Sequence, residues 1–345
     1  MALRLLRGRD GRLTAFAAVP GGVTRWTETR PGGPEWTGPR VFETPGLDEV
    51  TVAQGRDGYI QLIGLRRKAA GAERTDVEVV HATQFQSGRA MTGWHSLGTP
   101  HPKDWRKAQR IGAPTAAVDG TGAAHVFVRN AGGGVSARSQ NGKGAWGPWI
   151  DLKGRELVAG LTATATGEGR VELLAPAAEA VLRWYQPEPG GALRRAEDIP
   201  AAPRPGSVSA VESSRDTITH YWRDDPTGAL LAWRAEGREP VPLGGRPGTG
   251  PVALAHAVVD GHDCTVLAQQ DNRSGRLAVA AYPCEDEAAG VWWTETGEVG
   301  AAQPALALDG RGRVVLAALG PDGGLRVARQ KTDEGGLALR AWQRV

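Results

Sequence analysis

The chain has 345 residues, 40% hydrophobic and 23% charged, with a formal charge of +3 and 12 tryptophans against 4 phenylalanines and 4 tyrosines. That balance excludes a disordered chain, and the 49 glycines follow no three-residue period, which excludes collagen. The small net charge gives no ground for nucleic acid binding, and no stretch approaches the roughly 18 apolar residues that a membrane-crossing helix needs.

Along the chain a turn signal recurs, each time followed by a short alternating apolar run. It stands at Asp10-Gly11, Asp57-Gly58 and Asp119-Gly120, in weaker form at Gly167 and Ser214, and again at Asp260-Gly261 and Asp309-Gly310. The gaps from Asp10 to Asp57, Asp119, Gly167, Ser214, Asp260 and Asp309 are 47, 62, 48, 47, 46 and 49 residues. Asp-Gly between alternating runs signals a hairpin, because glycine takes φ > 0 without steric cost. The first copy reads as four strands, RLLRG, RLTAFAA, GVTRWTE and RVFE. The second carries the long gap as an insertion over roughly 64–110, where GLRRKAAGAERT extends one hairpin and GTPHPKDWRKAQR lengthens the exit. In the sixth, Cys264 opens the second strand and Cys284 closes the third. The seventh gives PALAL, RVVLAAL, GLRVARQ and LRAWQRV. No window of 11 residues holds a helical period. Four strands in each unit of about 45–50 residues make a propeller blade. The expectation is an all-β, seven-bladed β-propeller with four antiparallel strands per blade, one domain over 1–345, with an extended hairpin in blade two.

The two cysteines sum to 548, twice 274, and the turn DNRSG centres on 273, so they are expected to face each other across one hairpin. They form a candidate disulfide; the other reading is two reduced residues in a sheet. The start MALRLLRGRDGRL has neither an apolar core of signal-peptide length nor a small-residue cleavage site. A native start at Met1 places the protein in the cytoplasm, and a trimmed export signal would make it secreted.

The third unit, DGTGAAHVFVRNAGGGVSARSQNGKGAWGPWIDLKG (119–154), resembles the repeat of PLL-type and tectonin-like propeller lectins through Phe127, Arg129, Gln140, Trp146, Trp149 and Leu152. Blade two keeps GWHSLG (93–98), and the fifth keeps Tyr221, Trp222, Arg223 and Trp233. The resemblance implies a sugar-binding module, with an aromatic ring stacked on a pyranose and polar groups bonding its hydroxyls. Tryptophan suits that task, with a large flat apolar surface and one donor.

Trp26, Trp184 and Trp233 fall at comparable places near the ends of third strands, and read either as stacking platforms or as wedges between blades. Trp94, Trp146, Trp149 and Trp292 lie on outer strands or their approaches, where tryptophan also covers edges. The densest polar-aromatic cluster is 219–225, where His220, Arg223 and Asp224 flank Tyr221 and Trp222 and offer either a ligand site or an ion-paired turn. With Arg129 these are the candidate glycan or small-polar-ligand residues. Arg66, Arg67, Lys68, Trp105, Arg106 and Lys107 on the insertion are candidates for a protein partner. The histidines lack metal-ligand spacing, and no Walker, Rossmann or G-x-S-x-G text implies a cofactor or a catalytic nucleophile. Three functions stay open: a binding module for carbohydrate, a protein-interaction scaffold, and an enzyme acting at the channel mouth.

Overall fold

The computed structural model describes residues 3–71, 73–237, 239–244, 248, 250–299 and 304–345. The strands form seven sheets, each of four antiparallel strands in chain order, over 3–43, 47–98, 115–153, 162–200, 209–242, 253–299 and 305–344. In the fourth sheet the outer strand is split into Arg194–Arg195 and Ile199–Pro200, both paired with Ala180–Tyr185. The first strands of blades two, three and four lie side by side, as do those of blades five, six, seven and one. This is a seven-bladed β-propeller. It divides into two compact units, Met1–Ala17, Thr24–Arg40 and Ser207–Val345 in one and Ala18–Val23 and Val41–Gly206 in the other. The only helical turns among the described residues are Trp105–Ala108, capped by the Asp104 carboxylate, and the 3-10 turn Glu287–Ala289.

The corners work as hairpin chemistry demands, with one shift of frame. In blade three Gly122, and not Gly120, takes the left-handed conformation, with φ 85°, and its N–H donates to the Asp119 carbonyl. The Asp119 carboxylate accepts from the backbone N–H of Thr121 and Ala123. Gly11, Gly58, Gly169 and Gly312 hold the equivalent positive φ in blades one, two, four and seven, and Asp216 does so in blade five. At Val259–His262 the loop is a two-residue turn of Asp260 and Gly261, both left-handed. That combination is a type I′ hairpin, whose twist matches the flanking strands.

The text that resembles lectin repeats is explained by the backbone. Gln140, Gln186 and Gln330 end third strands, and the side-chain oxygen of each accepts the first backbone N–H of its neighbouring second strand, from Ala124, Val171 and Val314. The indole N–H of Trp149 donates to the carbonyl of Leu97, that of Trp184 to Leu152 and that of Trp342 to Thr296. Each bond runs from one blade to the outer strand of the blade before it. Tryptophan fills the wedge between neighbouring sheets with apolar area and places its single donor on a carbonyl of the neighbouring outer strand.

The cysteine expectation is corrected. Cys264 lies opposite Pro283, so this hairpin pairs residues summing to 547 and the cysteines miss registration by one place. A one-residue offset turns side chains to opposite faces. Cys284 instead sits 3.5 Å from the Thr265 hydroxyl, and both thiols are free.

Candidate ligand-binding site

Among the residues singled out from sequence, the tryptophans at strand ends are buried. Trp26, Trp184, Trp222 and Trp233 are only 3%, 2%, 0% and 9% exposed, so none presents a ring face to solvent. Trp26 and Trp184 belong to interior apolar clusters, with Leu3, Leu13 and Val315 around the first and Phe127, Leu157 and Leu173 around the second. The wedge reading is the one the packing supports. His220 and Arg223 are buried too, His220 lying opposite Trp233 with ring centroids 5.9 Å apart. Asp224 caps its own turn, accepting from the Thr227 N–H and hydroxyl. The 219–225 cluster is therefore an interior seam followed by a capped turn. Arg129 closes the second strand of blade three with its Cβ side against Gly112.

The basic residues of blade two spend much of their charge locally. Its hairpin runs ten residues a side, Ile60–Ala69 and Thr75–Gln84. Arg66 forks onto Glu78 at 2.6 and 2.8 Å, Arg67 approaches Asp48 at 3.8 Å and Lys68 reaches Glu78 at 4.0 Å. Arg106 lies 4.6 Å over the Trp105 ring, and Lys107 approaches Asp104 at 3.9 Å.

A different place combines an open aromatic face with polar groups. Between blades six and seven, within one compact unit, a cleft of about 340 Å³ is lined by the Val259–His262 corner, the end of the Arg276–Pro283 strand, Trp292 and Thr294, with Gly336 and Leu337 on the far side. Trp292 and Trp293 precede the outer strand Thr294–Val299. Adjacent side chains take opposite sides of an extended segment. Trp293 accordingly packs against the cluster of Tyr221, Leu230 and Tyr282, and Trp292 is turned out, 90% exposed. The Asp260 carboxylate stands on the corner and accepts the Gly336 N–H at 2.7 Å, which fixes it across the cleft. His262 follows on the same corner, and Cys264 and Tyr282 form the buried back wall. The Tyr282 hydroxyl is engaged with that of Tyr221 at 2.5 Å and burial pushes its acidity down, so it faces inward as a structural contact. Burial likewise raises the Cys264 pKa, keeping it a neutral thiol. The cleft thus offers an apolar ring, a carboxylate, an imidazole and a hydroxyl. Trp292 and the Asp260 corner each have a sequence signal, an outer-strand tryptophan and a turn aspartate; their convergence with Leu337 has none.

A second cleft, of about 480 Å³, lies between blades three and four and is lined by Gly154, Arg155, Glu156, Glu179, Arg195 and Asp198 over Leu182. Trp184 is beside it but covered, with the Arg195 guanidinium 4.4 Å above its ring and ion-paired to Asp198.

No protein-family model matches the chain, and no curated protein matches it. Solved structures do. The BP39L lectin from Burkholderia pseudomallei is 18% identical with a TM-score of 0.72, covering 98% of each chain. The SapL1 lectin, solved with alpha methyl fucoside, is 15% identical with a TM-score of 0.52, covering 85% of this chain and 95% of that one. The Hadza microbial sialidase Hz136 is 12% identical with a TM-score of 0.55, over 88% and 71%. At such identities the likeness establishes the fold.

Proposed function

We propose that this chain is a carbohydrate-binding propeller, with a sugar seated in the cleft between blades six and seven and stacked on Trp292. The observation that carries the reading is the 90% exposed indole at the lip of a cleft that also holds Asp260 and His262. An exposed indole at the lip of a polar cleft gives a ligand with an apolar face flat area to bury. A pyranose has an apolar face to lay on the ring and hydroxyls for the carboxylate and imidazole to bond. The lectin neighbours agree with this choice of ligand class. A glycan array followed by titration tests it: Trp292→Ala is expected to weaken binding by about tenfold or more, at the 1–3 kcal/mol that a stacking ring supplies. A blank array, or a Trp292→Ala protein that binds as wild type, overturns the reading.

A protein partner on blade two is the second reading. Its support is the long hairpin, which carries Arg67 and Lys68 to an end beyond the rest of the sheet. Shortening the hairpin by removing 68–74 is expected to abolish partner capture and to leave glycan binding intact. Capture that survives the deletion sinks this reading.

A further inference from the structure

The charge of the blade six and seven cleft selects its ligand further. We infer that the sugar it takes is a cationic amino sugar, with a free ammonium in place of an acetylated nitrogen, an inference that rests on the reading of this cleft as a sugar site. Among the residues that line it, Asp260 is the one formal charge, and no lysine or arginine lines the wall. Asp260 has no cationic partner among the described residues. The nearby His256 is taken by Asp263 at 3.4 Å. The carboxylate is also held in place: the left-handed backbone at Asp260 (φ 51°) and Gly261 (φ 80°) fixes the corner, and one carboxylate oxygen is bonded to Gly336. The second oxygen is left for a ligand.

Trp292 adds to this choice. The face of an indole carries negative electrostatic potential and attracts a cation more than a neutral group of the same shape. An ammonium between the ring and Asp260 gains a charge-assisted hydrogen bond and the ring's attraction together. An acetamide at the same carbon gains neither charge term. A sialic or uronic acid would bring a carboxylate against Asp260 with only the His262 imidazole, and no lysine or arginine, on the wall to answer it, so repulsion from Asp260 disfavours it. In this respect the cleft differs from a site built for acidic sugars.

The test compares oligosaccharides that differ only at nitrogen, glucosamine oligomers and N-acetylglucosamine oligomers of equal length, with a sialylated oligosaccharide as the acidic probe. Titrations are run at a pH where the ammonium and the carboxylate are both charged. Asp260→Asn is a clean variant, because asparagine suits the first position of a type I′ turn and keeps an oxygen for the Gly336 N–H. The wild type is expected to prefer the free amine by about tenfold, from a charge-assisted bond that a neutral one lacks. Asp260→Asn is expected to remove that preference, with its melting curve unchanged, and the sialylated probe is expected to stay unbound. Equal affinity for the two oligomers, a preference that persists in Asp260→Asn, or binding of the sialylated probe at the Trp292 cleft overturns this inference and leaves the sugar reading standing. A blank result for every saccharide overturns the sugar reading, and this inference with it.

Discussion

At the scale of single residues, several polar side chains hold the sheets by staying in one ionisation state. His81 of blade two is buried edge-on to Trp146 of blade three at 5.2 Å, and its Nε2 meets the Gln61 side-chain oxygen at 2.6 Å. Burial, with a smaller repulsion from His95, lowers its pKa from 6.5 to about 4. The folded protein therefore keeps His81 neutral where the unfolded chain takes up a proton, and stability falls as the pH drops from about 6.5 towards 4. The loss from this one residue approaches about 3 kcal/mol at the acid end, at 1.36 kcal/mol per pKa unit. Urea unfolding measured across that window is expected to show a shallower slope in His81→Gln than in wild type. Parallel slopes would show that the imidazole is protonated without cost where it stands. Asp119 gives a pH dependence of the same sign while staying charged: burial raises its pKa, but hydrogen bonds from His125 and Thr121 outweigh it and hold the group at about 2. Its contribution is present above the ordinary carboxylate range and is lost only as the pH falls through that range towards 2.

At the scale of elements, the corners decide how closely neighbouring blades approach. A Cβ on Gly169 would fall 2.2 Å from the Gly120 Cα, because the corners of blades three and four touch and the Gly120 N–H donates to the Gly169 carbonyl. Gly122, with nearly the same left-handed φ of 85° against 88°, has nothing within 4 Å of its would-be Cβ. Gly122→Ala should thus lose only the left-handed backbone term of about 1–2 kcal/mol. Gly169→Ala should lose a further 1–3 kcal/mol, roughly, for overpacking against a backbone that cannot move aside. Equal destabilisation in denaturant melts would mean that the two corners do not abut. The same elements show what the sequence makes legible. Repetition of Asp, Gly and alternating apolar residues at nearly even spacing reveals the blades, since every corner solves one backbone problem. The frame within a corner is less visible: Asp119-Gly120 looks like a two-residue turn, whereas the left-handed residue is Gly122. Nor does counting from a turn centre fix a register to within one residue, which is why Cys264 meets Pro283. Trp184 reads in sequence as a stacking platform or a wedge and Trp292 as an edge cover, and only the neighbouring sheet decides that the first is a wedge and the second a free face. The cleft is drawn from residues 259–264, 279–283, 292–294 and 336–337, so no window of sequence contains it.

At the scale of the molecule, the question is what joins the last blade to the first. Blade one takes its four strands from 3–43 and blade seven from 305–344, so neither lends a strand to the other. The join, which lies within one compact unit, is made by side chains. Leu3, Leu5 and Leu13 share an apolar cluster with Val315, Leu319 and Val327. Above that cluster runs a polar seam. Glu28, 0% exposed, takes the Arg329 guanidinium at 2.8 Å on one oxygen and the N–H groups of Leu13 and Gly32 on the other. Arg329 also donates to the Gly33 carbonyl, and Arg313 bridges the Asp309 carboxylate to the Gly32 carbonyl. Across the join, the seam ties the Asp309–Arg313 corner and the end of the third strand of blade seven to the third strand of blade one and the loop after it. A buried ion pair adds little over an apolar substitute, but removing one partner leaves the other charged in the interior. Arg329→Met is therefore expected to destabilise the fold by about 3–5 kcal/mol, and Glu28→Gln by a similar amount, while the double variant recovers part of the loss because no unpaired charge remains. Unfolding curves for the four proteins measure the coupling. Additive losses would mean that the two side chains act separately and that the apolar cluster alone holds blade seven to blade one. A double variant more stable than either single one would show that the loss in each single variant comes from the charge left unpaired in the interior.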